Sequence, residues 1–502
     1  MIITSMITIF VLGYIAIALE HPLKIDKAGS ALLMGGLIWG ILALGIDELV
    51  LQDFLIEFYE KFKTKFLALK EIGSYPAEEL VKPIKFLKYE LSHHLVDIGE
   101  ILFFLLAAMT IVELVDAHEG FSIITDKITT RKKVPLMWIL CIITFFFSAV
   151  LDNLTTSIVM AALLSKMIKG KQDLWLFAGM IIISANAGGA WSPMGDVTTI
   201  MLWIGGQVSA WNIISSLFIP SLICMIVPLI YISFKLKGSI EAPNVTQLNE
   251  HLINPTTSFE RNLIFYMGVL GLLFVPVFKV FTGLPPYVGM LLSLGILWVT
   301  TEIIHRKKNH EQKTHLSVIG VLKKVDTPTI FFFLGILLAV AGLQSAGQLD
   351  IVAKYLESTF SGENKIYIIN VLVGLLSALV DNVPLVAGAM GMYNIGAIQE
   401  GILAYPQDHS FWEFLAYCAG TGGSVLIIGS AAGVAVMGIL KIDFIWYLKK
   451  ISFLALIGYI AGALTYYLIE TSNTKDEITS NNLEIEITIS DKSNHNKLIT
   501  KR

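Results

Sequence analysis

Two stretches of this chain are near copies of each other, and each carries an acid–amide pair inside apolar sequence. Ser148-Ala149-Val150-Leu151-Asp152-Asn153 returns as Ser377-Ala378-Leu379-Val380-Asp381-Asn382, an offset of 381 − 152 = 229. The offset holds upstream, where Asp97 falls on Asp326, and Ile101, Phe103, Phe104 and Leu105 fall on Ile330, Phe332, Phe333 and Leu334. Downstream, Gly188-Gly189 matches Gly422-Gly423 and Gly195 matches Gly429, now at 429 − 195 = 234. A duplicated apolar chain with an Asp-Asn pair at depth in each half has the sequence pattern of a secondary transporter.

Composition narrows the class further. The 502 residues are 55% hydrophobic and 15% charged, with a mean hydropathy of +0.71. Spans need roughly 20 apolar residues each, and runs of that length recur from end to end. A formal net charge of −4 argues against a nucleic-acid partner. Cys141, Cys224 and Cys418 lie in apolar segments at no motif spacing, so they read as buried free thiols, neither a disulfide framework nor a metal site. Residues 1–20 lack a basic leader and a small-residue cleavage site, and read as a retained helix.

Spans are expected at about 1–20, 29–46, 98–115, 174–206, 211–235, 261–281, 284–304, 326–346, 411–440 and 444–468. Two more apolar stretches, 134–168 and 365–397, are interrupted by the Asp-Asn pairs. Each arm has about 15 residues, short for a bilayer at about 1.5 Å per residue, so both read as re-entrant helical hairpins with Asp-Asn at the tip, the alternative being a plain helix with a buried polar patch. Lys127, Arg131, Lys132, Lys133, Lys166, Lys169 and Lys171 flank the first hairpin, whereas acids dominate the flanks of the second. The positive-inside rule then puts 127–133 and 166–173 in the cytoplasm, 398–410 outside and both termini outside. The expected fold is an all-α polytopic membrane protein of two inverted repeats. Each repeat has about five transmembrane helices, one re-entrant helical hairpin and a broken helix. Residues 1–235 form the first repeat, 236–260 a cytoplasmic linker, 261–468 the second repeat and 469–502 a polar disordered tail. A polar insertion at 47–96 carries Phe54, Phe58, Phe62 and Phe66 at four-residue spacing, the stripe of an amphipathic surface helix.

Intramembrane carboxylates are costly and mark function by default. Asp152, Asp196 and Asp381 are the deepest, while Glu100 and Glu113 lie nearer the ends of their span. Asp152, Asn153, Thr155 and Thr156 offer oxygens where one hairpin arm ends and the next begins, and hard cations take oxygen ligands. From Asn186 to Thr199 two glycines and a proline break a helix, freeing carbonyls that are tolerated only around a polar cavity. Asp196, Thr198 and Thr199 add oxygens there. The second half offers Asp381, Asn382, Thr421, Ser424 and Ser430, with Ser430 in the place of Asp196. Ser148 and Ser377 precede the tips. Asp152, Asn153 and Asp196 are the expected ligands of a transported Na⁺, and no catalytic group and no bound cofactor is expected.

These tips, the Asn186–Thr199 stretch and the Asp381–Ser430 counterpart resemble the NhaD-type sodium/proton antiporters, within the ion transporter superfamily that also holds arsenite, citrate and dicarboxylate carriers. The resemblance spans about residues 1–468. It implies a scaffold of outer spans and a moving transport domain of hairpins and broken helices. It also implies exchange of Na⁺ or Li⁺ for H⁺ at the intramembrane Asp, in a multi-pass protein of a bacterial inner membrane. Membrane lipid, Na⁺ or Li⁺ and H⁺ are the expected partners, with a homodimer left open. Anion-carrying relatives have Ser-Asn-Thr at the tips, and Asp in place of Ser at both tips disfavours an anionic substrate. An oxyanion or carboxylate carrier of the same superfamily is the alternative, and it would need a cationic side chain that neither tip motif contains. A remoter alternative is an intramembrane aspartyl protease with Asp152 and Asp196 as its dyad. His93, His94 and His118 flank a span and read as solvated loop histidines before they read as pH sensors.

Overall fold

The computed structural model describes residues 2–51, 83–125, 127–240, 256–309, 313, 315–360, 362, 364–397 and 404–472. The phenylalanine stripe at 54–66, most of the 236–260 linker and the tail beyond 472 lie outside the described residues. Among the described residues the regular structure is helical apart from a two-residue parallel pairing of Asn394–Ile395 with Ala404–Tyr405 and a single bridge between Lys132 and Ser239. Nine described helices are long and apolar enough to cross a membrane, or ten if one bent pair counts as a span.

In the first half the helices are α1 (Ile2–Ala18), α2 (Lys27–Leu51), α3 (Pro83–Ala117), α4 (Lys133–Leu151), α5 (Asn153–Met167), α6 (Lys171–Ala190), α7 (Val197–Ile204) and α8 (Ala210–Lys235). In the second half they are α9 (Ser258–Thr282), α10 (Pro286–Ile304), α11 (Thr327–Ser345), α12 (Gln348–Thr359), α13 (Lys365–Ser377) and α14 (Asn382–Met392). There follow α15 (Ser410–Gly422), α16 (Ala431–Leu440), α17 (Phe444–Lys450) and α18 (Ser452–Ser472). Helices α4 and α5 are the first hairpin, α13 and α14 the second. Each half also has a buried helix followed, after a break in the chain's helical path, by a shorter one, α6 then α7 and α15 then α16.

Three boundaries differ from expectation. The first hairpin arm, α4, has 19 residues and is long enough to cross a membrane, because nothing breaks the helix until Asp152 itself. The described ends of the 47–96 insertion are not loops: they extend α2 to Leu51 and start α3 at Pro83, so the span foreseen at 98–115 is part of a 35-residue helix. Finally, α16 turns through 118° into α17, and the span expected at 444–468 starts as this short basic helix, Phe444–Lys450, and continues past Ile451 as α18.

The repeat survives as repeated contacts. Ser148 Oγ donates to the Ala185 carbonyl at 2.5 Å, and its mate Ser377 donates to Ala419 at 2.8 Å. Asp196 and Ser430 each cap the shorter helix of its pair with almost the same backbone, φ −146° and ψ 149° against φ −144° and ψ 148°. Glycine is required where hairpin and buried helix meet. A Cβ on Gly188 would lie 2.2 Å from the Phe145 carbonyl oxygen, and one on Gly422 would lie 2.0 Å from that of Gly374. Backbone at that distance cannot yield, so both positions exclude every side chain.

The two ends of the bundle differ in charge. Helix α8 is unbroken for 26 residues, about 39 Å at 1.5 Å per residue, so its termini lie at opposite ends. At the Lys235 end, Ile240 N donates to the Arg131 carbonyl at 2.9 Å and Lys133 pairs with Asp173 at 2.7 Å. At the Ser209 end, Asp408 accepts from Ser209 N at 2.5 Å and donates its own N–H to Gln207 at 2.9 Å. The segments expected in the cytoplasm therefore gather at one end, and Asp408 lies at the other.

The histidine reading needs correction. His93 is exposed, but it and His94 sit within α3, and His94 bonds the Ser345 hydroxyl at 3.1 Å. His118 is fully buried at the basic end, stacked 5.0 Å from the buried His305. Its Nδ1 faces the Leu114 carbonyl at 2.7 Å and must carry the proton, so His305 Nε2 donates to His118 Nε2 at 3.2 Å. Chain continuity hid this pairing: His118 reads as a loop residue because its partner is 187 positions away. Burial lowers both pKa values, that of His305 to about 4, with His118 and Lys308 adding to the effect and Glu260 opposing it. A lowered pKa favours the neutral form in the fold. The pair's stabilisation is thus present above about pH 6.5, the unfolded value, and is lost as pH falls toward 4. Melting of the purified protein should accordingly drop between pH 7.5 and 5, and His305→Phe should flatten that dependence.

Candidate functional site

The Asp-Asn pair divides its labour the same way in both hairpins. Asp152 ends α4 and caps α5, accepting from Thr155 N at 2.7 Å and Thr155 Oγ1 at 2.8 Å. Asp381 caps α14 through Val383 N at 3.4 Å. Caps of this kind satisfy the orphan N–H groups of a helix start. The following asparagine then sits on the first helical turn and reaches outward. Asn153 Nδ2 donates to Asp196 and Asn382 Nδ2 donates to Asp196 at 3.2 Å. The tips of both halves converge on one carboxylate.

Asp196 is itself a cap. It accepts from Thr198 N at 2.9 Å and Thr198 Oγ1 at 2.8 Å, and Thr199 closes a capping box on it. Asn153 also donates to Asn186 Oδ1 at 3.0 Å, and Asn186 Nδ2 donates to Ser424 at 2.9 Å and Ser430 at 3.0 Å. Asp196, Asn153, Asn186, Asn382, Ser424 and Ser430 therefore form one buried network across the two halves. A cavity of about 20 Å³ is lined by Asp152, Asn153, Asp196, Asp381, Asn382 and Thr329. That is room for one water-sized particle. Asp152 lies against it with φ +80° and ψ 158°, a region that costs a non-glycine residue of order 1–3 kcal/mol and that clusters at functional sites. Asp381, at φ −48°, carries no such strain.

Other expected site residues are placed elsewhere or engaged locally. Thr421 donates to the Tyr417 carbonyl of its own helix at 2.6 Å, and Ser148 and Ser377 are committed to the carbonyls described above. Thr156 Oγ1 is buried and has no hydrogen-bond partner among the described residues, which leaves a hydroxyl oxygen free beside Asp152. Glu100 lines a separate cavity of about 330 Å³ with His94 and Asp97. Glu113 lies 3.9 Å from Lys324.

Sequence reasoning missed Lys27. It starts α2, which packs parallel to α11: Lys27 Nζ lies 4.4 Å over the Phe332 ring, and Trp39 Nε1 donates to the Leu338 carbonyl at 2.8 Å. That packing delivers the ammonium 3.6 Å from Asp381, with 17% and 12% of the two side chains exposed. Asp381 thus stands between two spaces. One is the small cavity with Asp152 and Asp196; the other, of about 50 Å³, holds Lys27, Glu20 and Tyr14. In sequence Lys27 looks like an interfacial anchor ahead of a span, and nothing local marks it as a partner of residue 381. Thr329, on the cavity wall, was missed for the same reason.

The citrate transporter family model (CitMHS) matches residues 14–406. Sodium/proton antiporter 1 of Arabidopsis thaliana is 42% identical over 464 residues, covering 92% of this chain and 72% of the relative. The chain belongs to this transporter family. Sodium/proton antiporter 2 of the same plant is 39% identical over 92% of this chain and 98% of the relative. The NhaD antiporter of Vibrio cholerae is 28% identical over 92% and 90%. The NhaD-type resemblance drawn from the hairpin tips thus extends over most of the chain. The transporter is a multi-pass integral membrane protein, and the intramembrane protease reading falls with that membership.

Proposed function

We propose that the transporter exchanges Na⁺ or Li⁺ for H⁺, with cation and proton competing for Asp152 and Asp196. The supporting observation is the cavity that both carboxylates line together with Asn153, Thr329, Asp381 and Asn382, sized for one small particle. The antiporter names of the relatives agree with it. A carboxylate carrier is the second reading, favoured by the name of the family model and by the presence of Lys27. Its charge is already matched by Asp381, which leaves the cavity with acids in excess and hostile to an anion. Cation-induced proton efflux in everted vesicles, scanned over Na⁺, Li⁺ and K⁺, tests the proposal. Efflux driven by citrate and by none of the cations would overturn it.

Lys27 reserves Asp381 in this reading. A cation placed on Asp381 would share one carboxylate with an ammonium, and like charges disfavour each other. Lys27→Gln should therefore lower the apparent KM for Na⁺, by about fivefold or more if the coupling is of ordinary size, while Lys27→Arg keeps the parental value. A raised KM in Lys27→Gln would mean that Lys27 assists cation binding.

The two repeats are inverted in this reading, and three arrangements support it. The repeat mates α3 and α11 run antiparallel, with His94 beside Ser345 at one end and Glu113 beside Lys324 at the other. The ends of the first hairpin lie with Lys133 and Asp173, and those of the second with Glu357 and Tyr405. Labelling of Lys171→Cys from inside and Gln407→Cys from outside tests the orientation. The working location is a bacterial plasma membrane, to be checked by fractionation, since the relatives at 42% and 39% identity are plant proteins.

A further inference from the structure

We propose that the cleft at the basic end, between the start of α6, the end of α8 and helix α17, binds the headgroup of an anionic phospholipid. The cleft encloses about 410 Å³ and is lined by Gln172, Tyr231, Lys235, Trp446, Lys449 and Lys450. Its charged groups are cationic, save Asp173, whose carboxylate is held by Lys133 at 2.7 Å. The polar wall of the cleft is made by the ammonium groups of Lys235, Lys449 and Lys450 beside the Tyr231 phenol. Phosphate oxygens are the acceptors that suit such a cluster of ammonium groups.

The rest of the wall selects a lipid over a free anion. Leu176, Ile232, Phe453 and Leu454 continue the cleft as apolar surface, and Phe453 is 60% exposed on the outer face. Lys235 is the last residue of α8, and Lys449 and Lys450 end α17. Helix α17 leaves the direction of α16 by 118°, which sets its two lysines beside Gln172 at the start of α6 and Lys235 at the end of α8. Basic pockets between transmembrane helices bind anionic headgroups. The site is separate from the hairpin tips, so it stands or falls independently of the transported ion.

The test uses the full chain purified in a neutral detergent, with melting temperature read after adding phosphatidylglycerol, phosphatidylcholine or inorganic phosphate. Phosphatidylglycerol should raise the melting temperature, and the other two should leave it unchanged. The combined variant Lys235→Gln, Lys449→Gln, Lys450→Gln should lose at least half of that rise. Should this variant fail to purify, Lys235→Gln with Lys449→Gln carries the same test, a diminished rise supporting the site and a full one overturning it. An equal rise with phosphatidylcholine, or with inorganic phosphate alone, would also overturn the proposal.

Discussion

Asp152→Asn and Asp196→Asn are each expected to reduce Na⁺-driven proton movement to the background of vesicles lacking the transporter. The amide removes the titrating group, so no proton can be carried at that position whatever else binds. At residue 196 the change is also structural. The carboxylate accepts from Thr198, Asn153 and Asn382, and an amide nitrogen there would present a donor to donors. Ser430→Ala removes an acceptor of Asn186 and the cap on Gly433 N, a loss of roughly 0.5–2 kcal/mol for the cap. It should leave exchange running with a several-fold weaker apparent affinity for Na⁺. Normal exchange in Asp196→Asn with a dead Ser430→Ala would place the principal site in the other half.

Competition at shared carboxylates should show in the pH dependence of KM. A free aspartic acid titrates near 3.9, so exchange around neutrality depends on a desolvated site with raised affinity for protons. Below the site's own pKa, each unit of falling pH multiplies the competing ligand tenfold. The apparent KM for Na⁺ should then rise by up to about tenfold per unit for each proton displaced, with the maximum rate changing less. The buried His118–His305 pair offers the contrasting outcome: a sensor remote from the site would switch the maximum rate at nearly constant KM. Measuring both parameters between about pH 6.5 and 9 separates the two, and a flat KM with a steep maximum rate would sink shared-site competition.

The features legible in sequence were those written in local runs. Apolar length marked the spans, the repeated Asp-Asn marked the hairpins, and Pro193 marked the break between α6 and α7; Gly188 and Gly189, read as helix breakers, lie inside α6 and instead allow the close approach of neighbouring backbone. The meeting of both tips at Asp196 was half legible: the residues were named, yet nothing in the chain says that Asn153 and Asn382, 229 positions apart, reach the same carboxylate. Lys27 was illegible, since a lysine before a span has an ordinary interfacial explanation and its ion pair depends on how α2 packs beside α11. His118 failed likewise. A loop position predicts exposure until a partner from another loop covers it.

Asn186 holds both Ser424 and Ser430, whereas its repeat counterpart, Gly420, offers no side chain and faces Ala190 and the Asp196 carboxylate. The two halves are therefore interlocked and unequal at their centre. Losing Ser424 would leave the Asn186 amide one hydroxyl acceptor, Ser430, from the other half, while a side chain at Gly420 would grow toward Ala190 and Asp196. A change in this inner group is thus felt in both halves at once.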